Sequence, residues 1–145
     1  MYAATWEMIR NGYRMDSGGE DSKMYKSTDG GDTWTDISEY KGLPDGPWGI
    51  VGITVSPVDS NRVWAIIEAE NGGVFRSDDA GKTWQKVNSD RALLQRAWYY
   101  CRIYADTQNK EKVYVMNVCY GVSTDGGKTF KLKNEPHGDH HDLWI

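Results

Sequence analysis

The chain has 145 residues, 39% hydrophobic and 26% charged, with a net charge of -4, 16 Gly, and 7 Trp and 9 Tyr against only 2 Phe. No run approaches the roughly 18 apolar residues of a bilayer-spanning helix, and the mixed charge argues against a protein that grips nucleic acid by neutralising phosphates. The apolar and aromatic content is too high for a disordered chain.

No window carries an extended 3.6-residue apolar period, whereas short Val, Ile, Tyr and Trp runs recur between Gly and Asp turn signals, so the predicted elements are strands. Met1–Glu7 is the first. It lacks the basic and apolar regions of a signal peptide. Residues 23–26 and 33–37 follow, flanking Ser27–Trp34 (STDGGDTW). A second set runs 50–56, 62–68, 73–76 and 83–87, with Ser77–Trp84 (SDDAGKTW) between its last two strands. A third runs 98–105, 112–118, 120–122 and 129–132, around Ser123–Phe130 (STDGGKTF), and residues 141–145 (HDLWI) resemble the start of a further first strand. The motif S-x-D-x-G-x-T-W/F thus recurs at intervals of about 50 residues, a period that belongs to propeller blades or helical arrays, and here the elements are strands.

The motif chemistry fits a tight turn between strands. Asp29, Asp79 and Asp125 accept backbone N–H bonds, Ser27, Ser77 and Ser123 add hydroxyl bonds, and Gly31, Gly81 and Gly127 supply positive φ. Trp34, Trp84 and Phe130 open the next strand and wedge between adjacent sheets. These residues are therefore expected to be structural. Two cysteines, Cys101 and Cys119, match neither a zinc motif nor a C-x-x-C pair, and buried thiols are the expectation.

At these motifs the sequence resembles the Asp-box, or bacterial neuraminidase repeat, β-propellers. The stretches GPWGIVGITVSPVDSNRVWAIIEAENGGVFRSDDAGKTW, QRAWYYCRIYAD and HGDHHDLWI look like bacterial glycosyl-hydrolase-like proteins related to the sortilin N-terminal domain and to xyloglucan-active propeller hydrolases. The resemblance implies an all-β fold of antiparallel four-stranded blades, about three of them in an incomplete arc. Residues 1–37 form a blade lacking its first strand, 50–87 a second, 98–132 a third, and 141–145 begin another. It also implies a segment of a longer propeller, secreted or periplasmic, whose remaining blades are its first partners.

In such blades the motif turns share one side with the short turns 57–61 and 106–110. The longer loops 10–22, 38–49, 88–97 and 133–140 lie opposite, and rigid scaffolds carry function on such loops. Candidate ligand-binding residues there and at the adjoining strand ends are Arg10, Trp48, Arg91, Arg96, Trp98, Tyr99, His137, His140, His141 and Asp142. Arginine beside aromatics holds a sugar by stacking or a carboxylate by a fork. Trp98 and Tyr100 alternating into a sheet core is the competing reading. His137, Asp139 and His140 carry metal-ligand chemistry, but strand alternation argues against their convergence, and a hydrogen-bonded rim is expected in place of a metal. No cofactor is expected.

Two functions follow. One is a carbohydrate or peptide binding surface on the loop face, with no nucleic acid partner and no membrane span. The other is part of a glycoside hydrolase of the xyloglucanase or sialidase kind. That chemistry needs paired carboxylates, for which Glu68 and Asp139 are the candidates, with Glu70 beside Glu68 at the end of its strand and Glu7 in the equivalent place of the first unit. The F/Y-R-I-P signature of sialidases is absent, and a segment of this length is expected to be inactive by itself.

Overall fold

The computed structural model describes residues 1–133 and 135–145. It is all-β, with one short 3-10 helix, Arg91–Leu94. Strands β1 (Tyr2–Ala4), β4 (Met24–Lys26) and β5 (Thr35–Asp36) form one antiparallel sheet in that order. Strands β6 (Val51–Val55), β7 (Val63–Ile67), β8 (Gly73–Ser77) and β9 (Gln85–Asn88) form a second, and β10 (Arg102–Ala105), β11 (Val113–Met116), β12 (Tyr120–Ser123) and β13 (Lys131–Lys133) a third. The second and third are up-and-down meanders, in which short turns join antiparallel neighbours, whereas in the first residues 5–23 separate β1 from β4. The edge strand β6 lies against β1 on one side and β10 on the other.

The core sits between the sheets. Strand β7 is buried along its whole length because both of its faces are covered. Val63, Ala65 and Ile67 face the first sheet, with Met24, Ile37, Trp48, Phe75 and Trp84. Trp64 and Ile66 face the third, with Val74, Ile103, Val113 and Val115. An alternating strand would leave one face polar; a run of five apolar or small residues (VWAII) is what a strand sandwiched on both sides requires.

Several boundaries differ from the sequence reading. Residues 98–101 are not strand: Ala97 N–H donates to Leu94 O and Tyr100 N–H to Arg96 O, so the helical turn runs on and β10 begins at Arg102. The region 1–7 pairs only over 2–4, and the expected loop 10–22 contains part of a hairpin, β2 (Met8–Arg10) with β3 (Met15–Ser17). The strands after the motifs begin one residue beyond the aromatic, at Thr35, Gln85 and Lys131. Residues 141–145 carry no ladder. Within the loop expected at 133–140, Asn134 lies outside the described residues.

The three motif turns have one hydrogen-bond pattern. The Ser hydroxyl donates to the Asp carboxylate at 2.7, 2.7 and 2.8 Å and accepts from the N–H of Gly31, Gly81 and Gly127 at 2.9, 2.8 and 2.9 Å. The same carboxylate accepts the N–H and hydroxyl of the motif Thr, as in Thr83 to Asp79 at 2.9 and 2.6 Å. These bonds lower the Asp pKa values. For Asp79 and Asp125, burial works to raise them, but the hydrogen bonds from Thr, Ser and the backbone outweigh it and hold both at about 2. Asp29 is lowered chiefly by the Thr33 hydroxyl and N–H.

The wedging aromatics are not equivalent. Trp84 is 6% exposed and joins the core between the first and second sheets, whereas Trp34 is 40% exposed. Phe130 packs, half-buried, against the core between the second and third sheets. Each motif aromatic therefore faces the sheet that precedes it. Among the described residues no sheet precedes the first.

Candidate functional site

The inner edge strands β6 and β10, each laddered on one side only, flank a groove of about 470 Å³. Its walls are Ile50–Ile53 and Tyr99–Tyr104, with Trp6 from the first sheet region. Alternation along β10 turns Ile103 and Ala105 into the core and leaves Arg102 exposed and Tyr104 half-buried. At the loop end of the groove stand Trp98 and Tyr99, 47% and 49% exposed. Their rings are 6.1 Å apart, and Tyr99 meets Tyr100 edge-on at 5.4 Å.

Tyr100 is buried and organises the polar side of this mouth. Its hydroxyl donates to Asp139 Oδ1 at 3.0 Å, and Arg96 Nη1 reaches the same oxygen at 2.7 Å. Burial, reinforced by the Asp139 carboxylate, pushes the Tyr100 phenol up to about 12. His141 stacks on Tyr100 with centroids 4.1 Å apart and planes 18° from parallel, and it meets Tyr99 edge-on. Farther along, Tyr104 donates to Asp142 Oδ1 at 2.5 Å, which with the Leu143 N–H lowers the Asp142 pKa. Thus Arg96, Trp98, Tyr99, His141 and Asp142 gather at one place.

Other sequence candidates lie elsewhere. Trp48 is a correction: it is 3% exposed, packs in the core between the first two sheets, and donates its indole N–H to Pro44 O at 3.0 Å. Its aromatic surface is spent on packing, so it offers no platform. Arg10 is exposed at the end of β2, and Arg91 is exposed at the start of the 3-10 helix, whose N-cap is Asp90. His140 packs edge-on against Tyr120 at 5.3 Å, and His137 Nδ1 lies 2.9 Å from Gly138 O. Among the described residues no three His, Cys, Asp or Glu side chains are grouped to hold a metal ion.

The carboxylates proposed for acid/base chemistry are held in hydrogen bonds. Glu68 Oε2 accepts from Ser17 Oγ at 2.6 Å and from Ile50 N–H at 3.0 Å. Trp6 Nε1 donates to the same Ser17 hydroxyl at 3.0 Å. Glu7 accepts the Asp21 N–H at 3.1 Å. Gly49 and Gly19 make room for these carboxylates: a Cβ on either would lie 2.0 or 1.9 Å from a Glu68 or Glu7 oxygen. Both glutamates therefore tie loops to the sheets. The groove walls Trp6, Arg102 and Tyr104 were not singled out by sequence; once β10 is known to start at Arg102, its alternation points Arg102 and Tyr104 away from the core.

A second cleft, of about 740 Å³, opens between residues 19–23 and the loop 38–48. Its rim is mixed in charge, with Glu20, Lys23, Glu39, Lys41 and Asp45, and Trp48 forms part of its wall. Cys101 is buried, and burial pushes its thiol up to about 12, leaving it unreactive. No described helix is long and apolar enough to cross a membrane.

A comparison with curated proteins found no match. A solved structure titled YCF48 bound to D1 peptide is similar, with 17% identity over 77% of this chain and 34% of that one, at a TM-score of 0.56. The GH74 enzyme of Niastella koreensis aligns at 24% identity over 76% of this chain and 15% of that one, at a TM-score of 0.48. The chain therefore spans about a third or less of the length of these proteins. The fold is an incomplete arc of antiparallel propeller blades, two of them four-stranded and one three-stranded among the described residues. The family model described as sortilin, neurotensin receptor 3, matches residues 22–138, and the chain belongs to this Sortilin-Vps10 family.

Proposed function

We propose that the chain supplies one sector of a ligand-binding propeller, and that the groove between β6 and β10 takes an extended polypeptide segment. In this reading residues 1–37, 50–87 and 98–132 are three blades, the Asp-box turns are structural, and the opposite face carries the ligand. The observation that supports it most is the mouth of the groove: half-exposed Trp98 and Tyr99 beside edge strands that have ladder partners on one side only. Edge strands add a peptide through main-chain hydrogen bonds while aromatic platforms take its side chains. The structural neighbour in complex with a peptide makes this reading natural for the fold.

Glycoside hydrolysis fits less well. It needs one carboxylic acid free to donate and a second carboxylate facing it across the sugar. Glu68 is occupied by Ser17 and Ile50, and Asp139 by Arg96 and Tyr100.

The test is a binding screen of the chain against a random peptide library and a glycan array, with Trp98→Ala, Tyr99→Ala and the core-distant control Lys82→Ala. Peptide binding weakened at least about tenfold by either aromatic change, and untouched by the control, supports the proposal. Glycan binding without peptide binding, or peptide binding indifferent to both aromatics, overturns it.

A further inference from the structure

Two Asn-Gly pairs lie in exposed turns, Asn11-Gly12 at the tip of the β2–β3 hairpin and Asn71-Gly72 between β7 and β8. This dipeptide carries its own chemistry. The backbone nitrogen of the glycine can attack the side-chain amide carbon of the asparagine, and with no Cβ beside it that nitrogen approaches unhindered. The two turns treat the reacting groups in opposite ways.

At the hairpin tip, Asn11 Oδ1 accepts the Tyr13 N–H at 3.1 Å and the Arg14 N–H at 2.9 Å, while the Asn11 N–H donates to Arg14 O at 2.9 Å. Two fixed backbone donors on one carbonyl oxygen polarise its carbon and stay in place to hold the negative charge that the oxygen gains when a nucleophile adds. The attacking and leaving groups are both unoccupied: among the described residues nothing accepts the Gly12 N–H or the Asn11 Nδ2 protons. A Cβ on Gly12 would meet nothing within 4 Å, so the space around the nitrogen is open.

Between β7 and β8 the arrangement is reversed. The Gly72 N–H donates to Ala69 O at 3.0 Å, and a Cβ on Gly72 would lie 2.3 Å from Ile67 O. The nitrogen that would attack is held in a turn bond and crowded by backbone. Among the described residues no N–H donates to Asn71 Oδ1. Neighbouring charge acts in the same direction, with Arg10 before Asn11 and Glu70 before Asn71, though weakly at exposed positions.

We infer that Asn11 is a site of self-modification, passing through a cyclic imide to an isoaspartyl residue, and that the β7–β8 turn protects Asn71 from the same reaction. Gly12 N bonds to Asn11 Cγ as the Cγ–Nδ2 bond breaks, and the proton of Gly12 N leaves with Nδ2 as ammonia. Water then opens the five-membered imide at one of its two carbonyls. Attack at the α carbonyl leaves the chain running through Cβ and Cγ with a free α-carboxylate; attack at Cγ gives an ordinary Asp. The isoaspartyl product adds one carbon to the backbone and one negative charge to the hairpin that Ser17 ties to Glu68. Its carboxylate is the chemical class of acceptor that a methyltransferase using S-adenosylmethionine recognises.

The experiment ages the full chain in mildly alkaline buffer, folded and in urea, and follows the peptides containing Asn11 and Asn71 by mass spectrometry. Labelled methyl transfer by an isoaspartyl methyltransferase marks the isoaspartyl product. In the folded chain Asn11 should convert at least about tenfold faster than Asn71, and in urea the two rates should converge. Gly12→Ala, which the open turn accommodates, should slow conversion of Asn11 several-fold while leaving the Asn71 rate and the thermal unfolding midpoint as in the parent. Equal rates at the two sites in the folded chain, or an Asn11 that converts more slowly folded than in urea, overturns the inference. Conversion of Asn11 that keeps its speed in Gly12→Ala, or that yields Asp with no methyl-accepting product, rejects the imide route.

Discussion

The Ser17 hydroxyl donates to Glu68 Oε2 at 2.6 Å and so fastens the β2–β3 hairpin to the end of β7, fifty-one residues away in sequence. The same carboxylate oxygen takes the Ile50 N–H at 3.0 Å where the chain enters β6. A carboxylate placed this way is a loop clamp. Glu68→Gln keeps the shape but removes the charge that strengthens both bonds, so it should destabilise the protein by about 1 to 2 kcal/mol. Denaturant unfolding measures this. A variant as stable as the parent would return Glu68 to the list of groups held ready for chemistry.

The two motif tryptophans predict unequal costs for one substitution. Trp84 fills the space between the first two sheets at 6% exposure, and Trp84→Ala should cost about 3 to 5 kcal/mol through lost burial and the cavity left behind. Trp34, at 40% exposure on an uncovered face, should cost about 1 kcal/mol or less as Trp34→Ala. Thermal unfolding of the pair checks it. Equal costs would mean that the aromatic acts within its own turn, where each indole donates to the neighbouring glycine carbonyl, at 2.9 Å for Trp34 and 3.2 Å for Trp84.

Much of this architecture is legible from residue types. The repeated motif specifies a turn because Ser and Asp accept named backbone N–H groups, Thr donates to the Asp carboxylate and Gly supplies the positive φ, and VWAII between turn signals reads as a strand covered on both faces. The site is less legible because it depends on contacts between distant segments. Nothing local to Trp48 distinguishes a core indole from a loop platform; its neighbours Met24 and Ile37 come from another sheet. Trp98–Cys101 reads as strand by composition, yet the turn bonds to Leu94 and Arg96 hold it out of the ladder. Pairing of Glu68 with Ser17 likewise requires knowing how the hairpin folds back.

The motif carboxylates predict a specific acid response. In Asp79 and Asp125 the folded-state pKa is about 2 against an ordinary 3.8, so the folded protein binds these protons less readily than the unfolded chain. Their contribution to stability is therefore complete above about pH 4 and is lost as pH falls through about 2. Asp106, drawn down to about 2 by the N–H groups of Gln108 and Asn109 and by Lys112 and Tyr114 against the effect of burial, adds to the same window. Asp79→Asn should be less stable than the parent at pH 7, with the gap closing as both approach pH 2. A constant gap across pH 7 to 2 would show that the charge of Asp79 does not drive the effect.

Asp139 fixes the segment that follows it. It sits at φ 66°, a left-handed conformation that Asn also adopts without difficulty. Its carboxylate receives both Arg96 and Tyr100, while its own N–H and that of His140 donate to Val118 O and Asn117 O at 3.1 and 3.0 Å. The ion pair is nearly half exposed, with side-chain exposures of 43% and 46%, and by itself contributes about 1 kcal/mol or less. The Tyr100 bond is different, because it anchors a buried ring on which His141 stacks. Asp139→Asn preserves the backbone and weakens both side-chain bonds, so the amides of Asp139 and His140 should exchange on the order of tenfold faster, equivalent to about 1.4 kcal/mol of lost protection. Exchange at Ile103 and Val115, in the core, should stay as in the parent. If the 139–142 segment keeps its protection in the variant, the backbone bonds to Asn117 and Val118 hold it, and the Tyr100–Asp139 contact is a consequence of that docking.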